Sequence, residues 1–186
     1  QEPYQRSQMR LWSKMVDEGL HDGATEISFS AMFRNKMKNM TEDERELRFR
    51  NIGDPRRRDR FKSTFDQGVE SPFVLYAIVA YEKAFESLEE TLTDGRDWIF
   101  GDQYTLADIN LMPYVARLFY LDIVEVWIGA RPHVCAWWER VQKLPSFRRG
   151  ISDLLTETEL TAMAKYGPTI KGRLCELHAN YLAQIP

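Results

Sequence analysis

Three polar-capable side chains stand out in an otherwise apolar stretch: Asn110, Tyr114 and Arg117. They lie four and three residues apart, so on a helix they share one face. A hydroxyl and a guanidinium on such a face can hold the polar atoms of a ligand in a cleft. They can equally satisfy an internal network in which Arg117 pairs with a carboxylate, and the residues alone leave both readings open. Other chemistry is missing from the pattern. His21, His133 and His178 are isolated from one another, and the two cysteines, Cys135 and Cys175, stand in no metal or redox spacing. There is no His-x-x-x-His, no Gly-rich phosphate loop and no Gly-x-Ser-x-Gly elbow. Neither a catalytic set nor a metal site is expected, and Cys135 reads as a packed thiol rather than a nucleophile.

The element that must position this stripe runs from Leu106 to Val126, apolar nearly all round, which predicts a buried central helix. Its start is strongly specified. Thr105 suits the N-cap, and Asp108, three residues on, can reach back to the Thr105 N–H, forming a capping box. Asp108 also places negative charge at the positive end of the helix dipole. Tyr104 can pack on Ile109 as a hydrophobic staple, and Gly101 frees the backbone where the chain turns in. Pro113 lies inside the helix and should kink it.

The flanking elements follow from spacing. Met9, Trp12, Met15, Val16 and Leu20 give an apolar face to a first helix over Pro3–Leu20. Asp22-Gly23 should weaken or kink it before a second segment, Ile27–Met40, whose Met32, Phe33, Met37 and Met40 read either as adaptable core or as a plastic pocket. Thr41 and Glu44 form another capping box, with Gly53 and Pro55 closing that helix. Arg56, Arg57, Arg58 and Arg60 follow, offset by Asp54, Asp59 and Asp66. They read as a solvated surface of a short helix or insertion, with an anion site as the alternative.

Ser71-Pro72 opens a long helix. Its seam of Val74, Ile78, Tyr81, Phe85, Leu88 and Leu92 should pack lengthwise on a neighbour, leaving Glu82, Glu86, Glu89 and Glu90 facing water. Pro132–Leu144 is the next helix, with Val134, Trp137, Trp138 and Val141 inward. Thr156 and Glu159 cap another, which Gly167-Pro168 breaks after Tyr166. A terminal helix presents Leu174, Leu177, Tyr181 and Leu182. Tyr166 reads either as a lid residue or as packing.

The 186 residues suffice for one domain with its own core, without metal or disulfide support. A net charge of −3 argues against nucleic-acid binding. No apolar run spans a membrane and no signal peptide is visible, so a cytoplasmic protein with reduced thiols is expected. Helix formers dominate without alternating strands, so the fold class is all-α. The chain begins at Gln1 rather than Met, and a fragment or processed product is expected.

Gly101-Asp-x-x-Thr-Leu-Ala-Asp-Ile109 resembles the capped core helix of the glutathione transferase C-terminal domain. Arg131–Pro145 is similar to that family's next helix, and Tyr4–Trp12 to the first helix after its linker. The resemblance covers most of the chain, in the family's order. It implies an all-α glutathione S-transferase C-terminal-like helical bundle over residues 1–186, with a thioredoxin-like N-terminal domain absent from this chain. That absent domain would bind glutathione as cosubstrate and supply the catalytic residue that makes or uses the thiolate, the nucleophilic form of a thiol. The helical half would hold a small hydrophobic electrophile. The resemblance places that role on Trp12, Met15, Val16, Gly19, Tyr114, Arg117 and Tyr166, and a folding role on Thr105 and Asp108. It also implies a homodimer, and an isolated domain that is inactive. The opening Glu2–Arg6 through Trp12–Glu18 resembles bacterial β-etherase-type transferases, which cleave aryl ethers by thiolate attack, and the charged insertion from Thr41 to Glu70 suits them. Ala107–Pro113 is equally similar to the maleylacetoacetate isomerase class. The alternative is a non-catalytic protein-interaction module of the same fold, as in translation factors and synthetase complexes.

Overall fold

The computed structural model describes residues 3–185; Gln1, Glu2 and Pro186, and with them the Glu2 of the resemblance just given, lie outside the described residues. Its helices are α1 (Pro3–Met15), α2 (His21–Ser28), α3 (Arg34–Lys38), α4 (Glu42–Arg50), α5 (Pro55–Gln67), α6 (Pro72–Leu92), α7 (Leu106–Tyr120), α8 (Glu125–Ile128), α9 (Pro132–Lys143), α10 (Pro145–Gly150), α11 (Glu157–Tyr166) and α12 (Pro168–Leu182). Among the described residues no strand forms; only single bridges, Trp98 with Gly101 and Phe100 with Gln103, shape the turn before α7. The all-α class holds.

Asp22-Gly23, expected to weaken or kink the helix, lies inside the regular helix α2. α1, α2 and α3 run on through two wider π-turns, Val16–Leu20 and Phe29–Phe33. Gly23 serves contact instead of turning the chain. A Cβ there would lie 3.1 Å from the Ala77 Cβ, and one on Gly19 would lie 3.0 Å from the Ala80 Cβ. The two glycines therefore let this long helix settle closely on α6.

In α6, Ser71 Oγ accepts the Phe73 N–H at 3.3 Å, and all six expected seam residues are buried. Two of its glutamates do not face water as expected. Glu82 is 5% exposed; it pairs with Arg131, and its Oε2 lies 2.7 Å from His178 Nε2. Glu89 accepts the Val134 N–H at 2.9 Å and caps α9 from outside. The α6 pattern does not contain this information, because the cations and free N–H groups come from the far end of the chain. Removing one partner of a buried pair leaves the other charge uncompensated. Glu82→Ala is therefore expected to cost about 3 kcal/mol, read as a lowered urea midpoint together with faster amide exchange in α12. An unchanged midpoint would mean that Arg131 and His178 are satisfied by water.

The capped start of α7 forms as expected: Thr105 N and Oγ1 donate to Asp108 Oδ2 at 2.9 and 3.2 Å, closing the box. Asp108 is completely buried and does more than cap. Its Oδ1 accepts the Ile99 N–H at 3.1 Å and the Trp137 Nε1–H at 3.0 Å, tying the preceding turn and α9 to α7. Tyr104 packs edge-on against Trp98, with centroids 4.8 Å apart, while Ile109 stays exposed. Two further expectations for this helix change. It is not apolar-buried all round, since Leu106 is 59% exposed and Ile109, Pro113 and Phe119 also face outward. It ends at Tyr120 rather than Val126. Asp122 takes a left-handed φ of 56°, and the N–H groups of Asp122 and Ile123 return to the Phe119 and Leu118 carbonyls, a Schellman stop.

Gly167 separates α11 from α12 as expected, and the buried face of α12 is Ile170, Leu174 and His178, with Leu182 exposed. The main core gathers α1, α2, α6, α7, α8, α9 and parts of α10 to α12. A satellite cluster of Phe29, Met37 and Phe49, joined by Met40, Ile52, Phe61 and Phe65, holds the α4–α5 insertion against α2 and α3.

Candidate functional site

A cleft of about 800 Å³ lies where the second π-turn, the α4–α5 insertion and α7 meet. Its apolar wall is built by Phe29, Phe33, Phe49 and Phe61, of which Phe29 and Phe61 stack with centroids 4.9 Å apart and planes 14° from parallel. α7 supplies Pro113, Tyr114 and Arg117, and α2 supplies His21. These α7 residues reach the cleft because Pro113, Tyr114 and Arg117 lie on the side of the helix that the core leaves uncovered.

Tyr114 Oη lies 3.1 Å from His21 Nδ1. Burial pushes the Tyr114 hydroxyl upward, and the negative charge of Asp17 adds to that shift. The hydroxyl therefore stays protonated at neutral pH and can donate a hydrogen bond. Arg117 makes no carboxylate pair among the described residues, and its Nη1 meets Met163 Sδ at 3.2 Å instead. The internal ion pair offered as one reading of this stripe is not made. The third stripe residue, Asn110, donates to Ser13 Oγ at 2.7 Å and ties α7 to α1.

Of the seven residues placed in a substrate site by resemblance, the cleft contains Tyr114 and Arg117. Trp12, Met15 and Val16 pack on the main core, and Tyr166 does the same with the Lys165 amine over its ring. Met15 and Gly19 border a second cavity of about 580 Å³ between the first helices and α6. There Glu26, 1% exposed, accepts the Thr64 hydroxyl at 2.5 Å, and Arg60 bridges to Asp22 at 2.8 Å while standing 3.7 Å from Glu26. Burial pushes the Glu26 carboxyl upward, against the Thr64 bond and the Arg60 charge that lower it. This network pins α5 to α2 and so holds the outer wall of the neighbouring cleft in place.

The sequence reading missed His21, Phe29, Arg48, Phe49, Arg57 and Phe61 as cleft residues. For Phe49 and Phe61 the signal was the occurrence of single aromatic residues inside a heavily charged insertion, where solvated helices have no use for them. The basic run is also only partly a solvated surface. Arg57 lies over the Phe61 ring at 5.3 Å and Arg60 is committed to Asp22.

The arrangement can bind a flat apolar molecule and offer it cations and the Tyr114 hydroxyl, with Thr25 and Ser28 also on the lining. It holds no thiol and no carboxylate pair. Asp54, the one acidic residue of the lining, accepts the Arg56 N–H at 2.9 Å as the cap of α5. Among the described residues no three potential metal ligands cluster, and no helix is long and apolar enough to cross a membrane.

Residues 64–145 match the family described as glutathione S-transferase, C-terminal domain. Two plant relatives, from Arabidopsis thaliana, are glutathione S-transferase TCHQD, 34% identical over 33% of this chain, and glutathione S-transferase F13, 38% identical over 35% of it. A third, glutathione S-transferase 3 of Zea mays, is 34% identical over 30% of the chain. The matched stretches span 23%, 29% and 25% of those proteins' own length. In three dimensions the chain is similar to the crystal structure of β-etherase LigF from Sphingobium sp. strain SYK-6. The TM-score is 0.66 at 22% identity, covering 82% of this chain and 63% of that one. At that identity the likeness establishes the fold.

Proposed function

Taking as premise that this chain carries a glutathione S-transferase C-terminal domain, we propose that it is the substrate-binding half of a glutathione-dependent transferase. The observation that carries this reading is the cleft itself: four phenylalanines and a protonated Tyr114 hydroxyl, with no thiol among its lining residues. Such a site holds an aryl electrophile and relies on another domain for the attacking group. Glutathione, held mainly by a thioredoxin-like domain, supplies the thiolate. Leu106 and Ile109, exposed on α7, offer apolar surface for that domain. Around the cleft, Trp12, Met15, Val16, Gly19 and Tyr166 keep the helices that frame it in register, and Tyr114 and Arg117 meet the ligand.

Within this reading the reaction is aryl-ether cleavage. The thiolate sulfur bonds to the carbon bearing the ether oxygen, the C–O bond breaks, and the departing phenolate takes a proton. Support comes from the opening stretch of the sequence, from the α4–α5 insertion, and from the fold shared with a β-etherase. The same reading carries a cytoplasmic homodimer, and an isolated domain that binds substrate without turning it over.

The test is retention of the intact protein on immobilised glutathione, competed by free glutathione, followed by turnover of an aryl ether. Tyr114→Phe is expected to lower kcat/KM roughly tenfold, the loss of one hydrogen bond of about 1.4 kcal/mol. A folded protein that neither binds glutathione nor turns over any aryl electrophile would instead favour a non-catalytic interaction module.

A further inference from the structure

Arg48, Arg57 and Arg117 come from three different helices, α4, α5 and α7, and line the same cleft. None forms an ion pair among the described residues. Arg60, Arg96, Arg131, Arg140, Arg148 and Arg173, by contrast, each have a carboxylate partner. Glu159 feels the Arg117 charge, yet its carboxylate is held low first by its bonds to Thr156, which occupy Oε2 in the α11 cap. The single acidic residue of the lining, Asp54, is occupied in its own cap. An apolar cleft in a chain of net charge −3 thus has three guanidinium groups against one carboxylate.

We infer that this cleft selects aromatic ligands that carry an anionic group, an aryl carboxylate above all. The ring lies against Phe29, Phe33, Phe49 and Phe61, and the carboxylate meets the arginines at the rim. Guanidinium groups suit this role because they stay charged at every relevant pH and fork onto both oxygens of a carboxylate. The Tyr114 hydroxyl, kept protonated, adds a neutral donor to the same group or to an ether oxygen beside it. This inference deepens the reading of the cleft as an aryl site and rests on it.

The experiment compares 2-naphthoate with 2-naphthamide, which share ring and shape and differ in charge. Binding to the full chain is measured by isothermal titration calorimetry. At low salt the acid is expected to bind about tenfold tighter than the amide. Raising salt from about 20 mM to about 500 mM, which shortens the screening length from roughly 20 Å to roughly 4 Å, should bring the ratio towards one. Arg48→Gln, Arg57→Gln and Arg117→Gln should each lower the acid's affinity while leaving the amide's within about twofold. Arg117→Lys should retain part of the preference, with circular dichroism confirming each fold. Equal affinity for the two ligands overturns the inference and leaves the aryl cleft standing. Failure of both to bind the folded chain overturns the cleft reading together with the inference.

Discussion

Gly167→Ala is expected to displace or unfold the last two helices. A Cβ built on Gly167 would lie 1.8 Å from the Leu121 carbonyl oxygen and 2.6 Å from its carbonyl carbon. Both atoms belong to backbone, and that backbone is fixed by the Schellman stop of α7. Neither side can yield by turning a rotamer, so the α11–α12 junction must lift away. The cost should exceed the usual overpacking penalty of about 1–3 kcal/mol, because the clash is with main chain. For a chain of this size that means a fall in Tm of roughly 10 °C or more. Gly172→Ala is the matched control. It lies exposed within α12 with nothing within 4 Å of the new methyl, so it should stabilise by about 0.5–1 kcal/mol through helix propensity alone. A Gly167→Ala protein with an unchanged Tm would show that the crossing of α12 over Leu121 can open to admit a methyl group at no cost.

The second large effect belongs to Asp108. Asp108→Ala removes four accepted hydrogen bonds and leaves the Ile99 N–H and the Trp137 indole N–H without partners in the core. Trp137 is completely buried, so water cannot take over without opening the structure. A cap lost at a surface costs about 1 kcal/mol. Here the orphaned donors raise the expected loss to about 3–5 kcal/mol, read from urea denaturation. Asp108→Asn should cost less than alanine, because one oxygen remains to accept. A loss near 1 kcal/mol for alanine would reduce Asp108 to an ordinary cap.

These two residues also mark how far the sequence could be read. Thr105, Asp108 and Gly101 announced the start of α7 because capping chemistry is local and lies within a few residues. The α6 seam was legible for the same reason, as one element with one period. What could not be read required distant partners. Glu82 looked solvated until Arg131 and His178 arrived from 49 and 96 residues away. Gly23 looked like a helix breaker because Ala77 was not in view. Across the two π-turns the spacing was read correctly for Leu20, Ile27, Met32 and Met37, all buried, whereas Phe33, in the second π-turn, is 41% exposed. In the cleft, Tyr114 and Arg117 were visible as a stripe on an apolar helix. Phe49, Arg57 and Phe61 were hidden in a run whose charge masked the few aromatic residues that matter.

The satellite cluster beneath the cleft has a kinetic consequence. Only Phe29, Met37 and Phe49 are fully buried in it, against more than thirty side chains in the main core. The insertion that completes it is otherwise held by Arg34, which donates to the Phe65 and Asp66 carbonyls, and by the Thr64 and Arg60 contacts to α2. Opening this unit exposes far less apolar surface than unfolding the whole, so it must happen more often. The outer wall of the cleft is therefore expected to open more readily than the main core, and a ligand seated against Phe49 and Phe61 should slow that opening. Its residence time should then follow how rarely α4 and α5 lift, so the contacts that bind the ring would also set the rate at which it leaves.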